Sequence, residues 1–359
     1  MATRRFTAPA DFPEPAALDE FYGALAEADV QPLWAQQGLM PRTPPLRDVP
    51  ALWKWKRLRA LAERSGELVP IDRGGDRRVL AFANPGGGGL PYATSTLWGA
   101  VQYLGPGELA PAHHHTPGAL RFVLEGSGVW TLVDSDPVAM NPGDLVLTPS
   151  WRWHEHHNPG TGPMLWFDGL DIPMVRAVDA VFFEDGPDRM TNRAVDTVSR
   201  AELRYAGAPG LLPLDDEPPA PHSPLLAYRR AETDRALTRL LAARGGPHAA
   251  LRFADPTSGA DVMPTLRCAM HRLLPGLRTP TTRRTGSSIW VAYSGAATAV
   301  VDGHRFDLEP GDVLAVPSWA PFDLAATEPT DLFSVSDAPV LEAMRLARTE
   351  TLPAHQELR

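Results

Sequence analysis

The chain has 359 residues, too many for one ordinary domain and enough for two. Hydrophobic residues make up 43%, enough for substantial cores, and a net charge of −9 leaves no basic footprint for nucleic acid. No apolar run reaches the ~20 residues a membrane helix needs, the N-terminal MATRRFTAPADFPEP lacks the apolar segment of a secretory signal, and the lone Cys268 excludes an internal disulfide, features that together predict a reducing cytoplasm.

Residues 14–29 carry apolar positions at helical spacing and predict a short helix. PLWAQQGLMPRTPP (32–45) reads as a proline-stiffened arm, and residues 51–63 predict a second helix. Trp34, Trp53 and Trp55 read as packing anchors. From about Arg77 the texture changes to short apolar runs such as TLWGAVQYL, LRFVLEG, GVWTLVD and DLVLTPS, separated by Gly, Pro and Asp, which is the pattern of an all-β barrel or sandwich. Residues 206–224 are a proline-rich linker, residues 228–244 predict a helix, and the β texture returns from about Thr265 to Asp337.

The second β region repeats the first. PGELAPAHHHTPGALRFVLEG (106–126) aligns without gaps on PGLRTPTTRRTGSSIWVAYSG (275–295), and NPGDLVLTPSWRWHEH (141–156) aligns on EPGDVLAVPSWAPFDL (309–324). Shared Pro-Gly-Asp turns and Pro-Ser-Trp corners at matching intervals imply two copies of one barrel.

The copies differ in chemistry. Six of the 11 histidines lie in two short segments of the first copy, His113 to His115 and His154, His156 and His157. In the second copy Thr282, Arg283 and Arg284 replace the first cluster, and Phe322 replaces His154. On a strand His113 and His115 point one way and His114 the other. Two imidazoles on an inward face, joined by one from another strand, form a three-nitrogen face for Fe, Zn, Cu or Ni.

Gly107, His113 and His115, closed by Gly126, followed by Gly143, Pro149, His154 and Asn158, resemble the two cupin motifs. Ala119 stands where many cupins place a glutamate ligand. With the strings ALRF, PSWRWHEHHN, WFDGLDIP, LWKW and TLWGAVQ, the chain resembles the gentisate 1,2-dioxygenase family over nearly its whole length. Relatives of that family act on salicylate and 1-hydroxy-2-naphthoate. The family's H-R-H reads H-H-H here, a departure at the outward position.

The resemblance implies an all-β fold of two tandem cupin (double-stranded β-helix, jelly-roll) barrels. Residues 1–70 would be an N-terminal helical arm, 71–185 the metal-binding cupin, 186–255 a linker with a helix, and 256–359 a degenerate, metal-free cupin. It implies one Fe(II) per chain on His113, His115 and His154. The substrate would be a small aromatic carboxylate that chelates the metal with O2 beside it. Cleavage of the gentisate C1–C2 bond would give maleylpyruvate. The family tends to homotetramers.

Several further residues are candidates for the pocket. Arg121 has inward parity with His113 and His115 and suits bidentate carboxylate recognition, against a plainer reading as a surface strand arginine. Arg77 or Arg78 would supply a second pocket arginine, with Arg77 the choice carried here. His156 shares the parity of His154 and suits proton traffic beside the metal; His157 would face solvent. Asp168 resembles a pocket aspartate that holds a histidine or the phenol, although an ordinary turn aspartate would look the same. Trp98, Ala100 and Gln102 alternate on one strand face and would line a wall, and Met40 could close the pocket. Some salicylate-cleaving relatives carry glycine where Ala100 stands. The rival functions are other histidine-ligated cupin enzymes, which usually keep the glutamate, and a non-catalytic bicupin that binds a metal or ligand.

Overall fold

The computed structural model describes residues 16–36, 38–75, 78–186, 198–207, 211–214 and 220–359. The chain forms two compact units, Met1–Pro45 and Leu46–Arg359. In the first, a helix spans Ala16–Glu27 and a helical turn spans Leu33–Ala35. Trp34 does not anchor a core there: it is 70% exposed, with its Nε1 donating to the Tyr22 hydroxyl at 3.3 Å.

The second unit holds two β barrels, each made of a six-stranded and a five-stranded sheet. In the first barrel the larger sheet runs Ala227–Tyr228, Leu145–Thr148, Ala119–Glu125, Met164–Leu170, Trp98–Leu104, Val79–Ala81. Its smaller sheet runs Phe183–Asp185, Leu109–His115, His154–His157, Trp130–Val133, Asp136–Ala139. The second barrel repeats this order strand for strand, with Ala51–Trp53 in the edge position that Ala227–Tyr228 holds in the first. The sequence repeat is therefore a structural repeat, and the fold is the all-β double cupin.

Residues 51–63 are not one helix. Ala51–Trp53 is a strand paired with Val313–Ala315 of the second barrel, and the helix begins at Trp55 and runs to Leu68. The exchange is reciprocal, since Ala227–Tyr228, just before the second barrel, pairs with Leu145–Val146 of the first. Each exchanged strand leads into a helix whose first N–H groups need acceptors. The Pro-Gly-Asp turns supply them. Asp144 Oδ1 accepts from the Arg230 N–H at 2.8 Å, at the start of the helix Arg230–Arg244, and Asp312 Oδ1 accepts from the Trp55 N–H at 2.8 Å. The repeated aspartate thus clips the segment that precedes one barrel onto the other barrel.

Strand alternation divides each large sheet into two faces. In the first barrel Leu120, Phe122, Leu145, Leu147, Leu165 and Phe167 face the second barrel, where Cys268, Met270, Ile289, Val291, Phe333 and Val335 meet them in one buried core. Phe122 and Phe333 stack with ring centroids 4.3 Å apart and planes 7° from parallel. The opposite faces point into each barrel's own interior. Gly126 has φ +94°, and a Cβ there would sit 2.5 Å from the Pro163 carbonyl oxygen. Its counterpart Gly295 meets the Pro329 carbonyl in the same way, which accounts for glycine at this place in both copies.

If the barrels are stabilised through this shared layer, Phe333→Ala should lower stability by about 3–5 kcal/mol. Denaturant unfolding would measure it. A loss near zero would show that the two sheets do not depend on each other.

Candidate metal centre

His113 and His115 project from the strand Leu109–His115, and His154 opens the strand His154–His157 opposite His113. One ring nitrogen from each of the three lies within 4.8 Å of those of the other two. The ring centroids of His113 and His154 are 4.3 Å apart, and those of His115 and His154 are 5.0 Å apart. Each imidazole anchors its Nδ1 on a backbone carbonyl: His113 on Pro111 at 2.9 Å, His115 on Pro117 at 2.7 Å, His154 on Arg152 at 2.9 Å. An Nδ1–H given to a carbonyl fixes the tautomer and leaves Nε2 as the ligand atom.

His154 is fully buried, and among the described residues its Nε2 has no hydrogen-bond partner. A buried polar nitrogen without a partner is costly unless something else occupies its lone pair. Burial holds the His154 imidazole well below its ordinary range, with Arg121 and the other two imidazoles adding to the effect. His115 is pushed down to about 4, again chiefly by burial. Neutral imidazoles are the form that binds metal. The three residues therefore fit a metal ion bound by nitrogen alone, with no carboxylate among them.

His114 points away from the pair, as alternation requires, but it is not solvent-facing. Its ring lies between Trp151 and Trp153, with centroids at 3.9 and 3.7 Å, and its Nε2 meets Glu184 at 2.8 Å. Trp151 holds φ +62°, an uncommon conformation for a bulky residue, while its N–H donates to the His115 carbonyl at 2.9 Å. The Pro-Ser-Trp corner thus ties down the ligand strand. His157 is half-buried, with its ring edge-on to Trp130 at 4.9 Å.

A polar layer crosses the barrel beside the histidines. Ala100, Asp168 and Arg121 stand in register on three neighbouring strands, all buried. Arg121 Nη1 donates to Thr148 Oγ1 at 2.6 Å, and its Nε lies 3.6 Å from Asp168 Oδ1. It is therefore an interior arginine, not a surface one. Asp168 also accepts from Trp166 Nε1 at 2.9 Å. Burial pushes Asp168 up to about 6 even with that guanidinium and that indole beside it. Its protein partners are thus Arg121 and Trp166.

His156 is buried on the same inward face as His154, and its Nδ1 meets Thr131 Oγ1 at 2.8 Å. The Thr131 hydroxyl also lies 3.1 Å from Met140 Sδ, so it holds the His156 ring between two buried side chains. Trp98 and Gln102 share the face of Ala100, with Gln102 buried and Trp98 half-buried. Arg77 lies outside the described residues. Arg78 is buried, donates to the Val69 carbonyl at 2.9 Å and pairs with Glu108. Met40 is exposed within the N-terminal unit.

Sequence reasoning missed Thr131, Thr148 and Phe183. The two threonines have the inward parity of their strands, a signal that could have been used. Phe183 stacks on His113 at 5.5 Å from a short strand that pairs with His113–His115, and nothing in its local sequence announces that pairing.

Residues 100–172 match the Cupin domain family. Over 341 residues the chain is 52% identical to a gentisate 1,2-dioxygenase from a Streptomyces species, with 92% of this chain and 95% of the relative covered. It is 34% identical over 325 residues to gentisate 1,2 dioxygenase 1 of Aquipseudomonas alcaligenes, with coverage of 89% and 92%. Its fold superposes with a TM-score of 0.91 on a crystal structure of salicylate 1,2-dioxygenase from Pseudoaminobacter salicylatoxidans in adducts with gentisate, at 47% identity over 96% of this chain and 97% of that one.

Single substitutions of His113, His115 or His154 to alanine should each abolish tight metal binding, whereas His114→Ala should leave it nearly intact and lower stability instead. Metal content per chain after desalting checks this. Loss of metal in His114→Ala with the fold preserved would reverse the assigned strand face.

Proposed function

The chain belongs to the gentisate 1,2-dioxygenase family, and from that premise we propose that it opens the C1–C2 bond of gentisate with O2 to give maleylpyruvate. The observation that carries the reading is the trio of converging imidazoles in the same barrel as a buried arginine, since it pairs a metal face with a group suited to a carboxylate. His113, His115 and His154 would hold one Fe(II) through Nε2. When bound, iron(II) supplies a Lewis acid for the substrate's carboxylate and neighbouring hydroxyl, and an electron route from the ring to dioxygen.

The chain's own residues would do the rest. Arg121 receives the carboxylate in a dry setting, where a guanidinium is worth most. Thr148 and Asp168 fix its orientation before the substrate arrives. His156, held by Thr131 on the same inward face as His154, takes the proton of the hydroxyl that chelates. Trp98, Ala100 and Gln102 shape one wall, and Arg77 would complete the pocket. Residues 256–359 would form the metal-free barrel. A homotetramer in the cytoplasm completes the proposal.

Ala100 is the residue through which ring choice would act. Its side chain is fully buried in register with Asp168 and Arg121, so its methyl group limits how closely a ring approaches the wall. One methyl in a close-packed site is worth about 1 kcal/mol or more. Gentisate also carries a second electron-donating hydroxyl, para to the first, which eases oxidation of its ring.

Truncating one side of a desolvated charge pair strands the other, so Arg121→Ala should lower kcat/KM for gentisate by about 2–5 kcal/mol while metal stays bound. Near-normal kinetics would remove Arg121 from the reaction. Oxygen uptake in air should be rapid with gentisate and slow or absent with salicylate, and Ala100→Gly should raise the salicylate rate. Equal rates on both acids in the unaltered protein would end the Ala100 argument, and uptake with neither would end the functional reading.

A further inference from the structure

The second barrel's interior is built differently from the first. Trp290 stands where Arg121 stands in the repeat and Phe322 where His154 stands, with ring centroids 5.1 Å apart. His271, at the place of Gln102, lies 4.6 Å from Trp290 and meets Ser334 Oγ at 3.2 Å through Nε2. These side chains face inward, yet Trp290, Phe322 and His271 are only half-buried, whereas Arg121, His154 and Gln102 are buried. Inward side chains that solvent still reaches line an open cleft, and concave sites of mixed aromatic and polar lining suit small ligands.

Arg284 stands at the mouth of this cleft. The neighbouring Arg283 turns outward, paired with Glu350 at 2.7 Å and lying over the Trp319 ring at 4.9 Å. Alternation then puts Arg284 on the inward face with Thr282, which pairs with Phe322. The Trp319 N–H holds the Arg284 carbonyl at 2.6 Å, the same clasp that Trp151 makes on His115. The Arg284 side chain is exposed, and among the described residues no carboxylate pairs with it. Desolvation of the ring inside the barrel pushes the His271 imidazole down to about 3, with His248 and Arg284 adding to the effect, so the histidine is neutral.

Plain packing would account for two aromatic rings in place of a metal site. It would not leave them open to solvent, nor set an unpaired guanidinium above them. We propose that this cleft is a second, metal-free binding site for a small aromatic carboxylate, its ring against Trp290 and Phe322 and its carboxylate on Arg284. A planar ring meets aromatic faces, and a guanidinium matches a carboxylate in a bidentate fork. The assignment rests on the cleft's own chemistry and does not require turnover in the first barrel.

Anaerobic calorimetry of the iron-loaded protein with gentisate as the probe tests it. Two sites per chain are expected in the unaltered protein. Arg284→Gln, a change at an exposed side chain, should weaken one site by at least about tenfold, the loss of a bidentate charge contact, and should leave oxygen uptake at low gentisate unchanged. Arg121→Ala should weaken the other. A single site weakened only by Arg284→Gln would support the cleft while removing the first barrel as a receptor. A single site weakened only by Arg121→Ala, or two sites indifferent to Arg284→Gln, would overturn the proposal.

Discussion

Each candidate ligand imidazole gives its Nδ1 hydrogen to a carbonyl two residues away in sequence, on Pro111, Pro117 or Arg152. The rest of the centre depends on this local bond. It fixes the tautomer, turns Nε2 inward and leaves a buried nitrogen of His154 without a hydrogen-bond partner among the described residues. Strand alternation does the coarser work of placing His113 and His115 on one face. The carbonyl contacts then convert a shared face into converging lone pairs. Around them the barrel limits access of water, and burial keeps His115 and His154 neutral.

The same scaffold carries two different interiors. Both barrels keep the features that hold strands and helices together: the glycine against a proline carbonyl, the tryptophan corner in the left-handed conformation, and the aspartate that caps a helix beside the other barrel. Those features are local or repeated, so they survive a change of function. The interiors are not bound by them. In one, Arg121, Asp168 and Thr148 form a buried polar layer; in the other, Trp290 and Phe322 fill the equivalent places with rings. The shared core of Phe122 and Phe333 makes the second barrel a structural partner of the first, whatever it binds.

Much of this was legible in the sequence, for physical reasons. A gapless repeat shows two copies of one barrel because each copy must solve the same turn geometry. Alternation along a strand predicts which histidines share a face without knowledge of any partner. The Ala51–Trp53 strand was not legible, because its apolar residues are paired by a strand some 260 residues later, and local periodicity read it as helix. The acceptor role of Asp144 and Asp312 was hidden for the same reason: a Pro-Gly-Asp turn explains itself locally, and the helix it caps is distant. The parity of Arg121 placed it inside, but only the fold shows that Thr148 and Asp168 hold it there. That Asp168 lies beside Arg121 and Trp166 was not legible, because cross-strand register is not written in either strand alone.

If a three-imidazole centre in the first barrel directs both atoms of dioxygen into an aromatic carboxylate, both new oxygens of the product come from the gas. Turnover of gentisate by the iron-loaded protein under 18O2, with mass analysis of the ring-opened product before exchange, tests this most directly. Two labelled oxygen atoms are expected in the product of the unaltered protein, and no product from His154→Ala. Product that carries no label, or whose new oxygen comes from water, would contradict it.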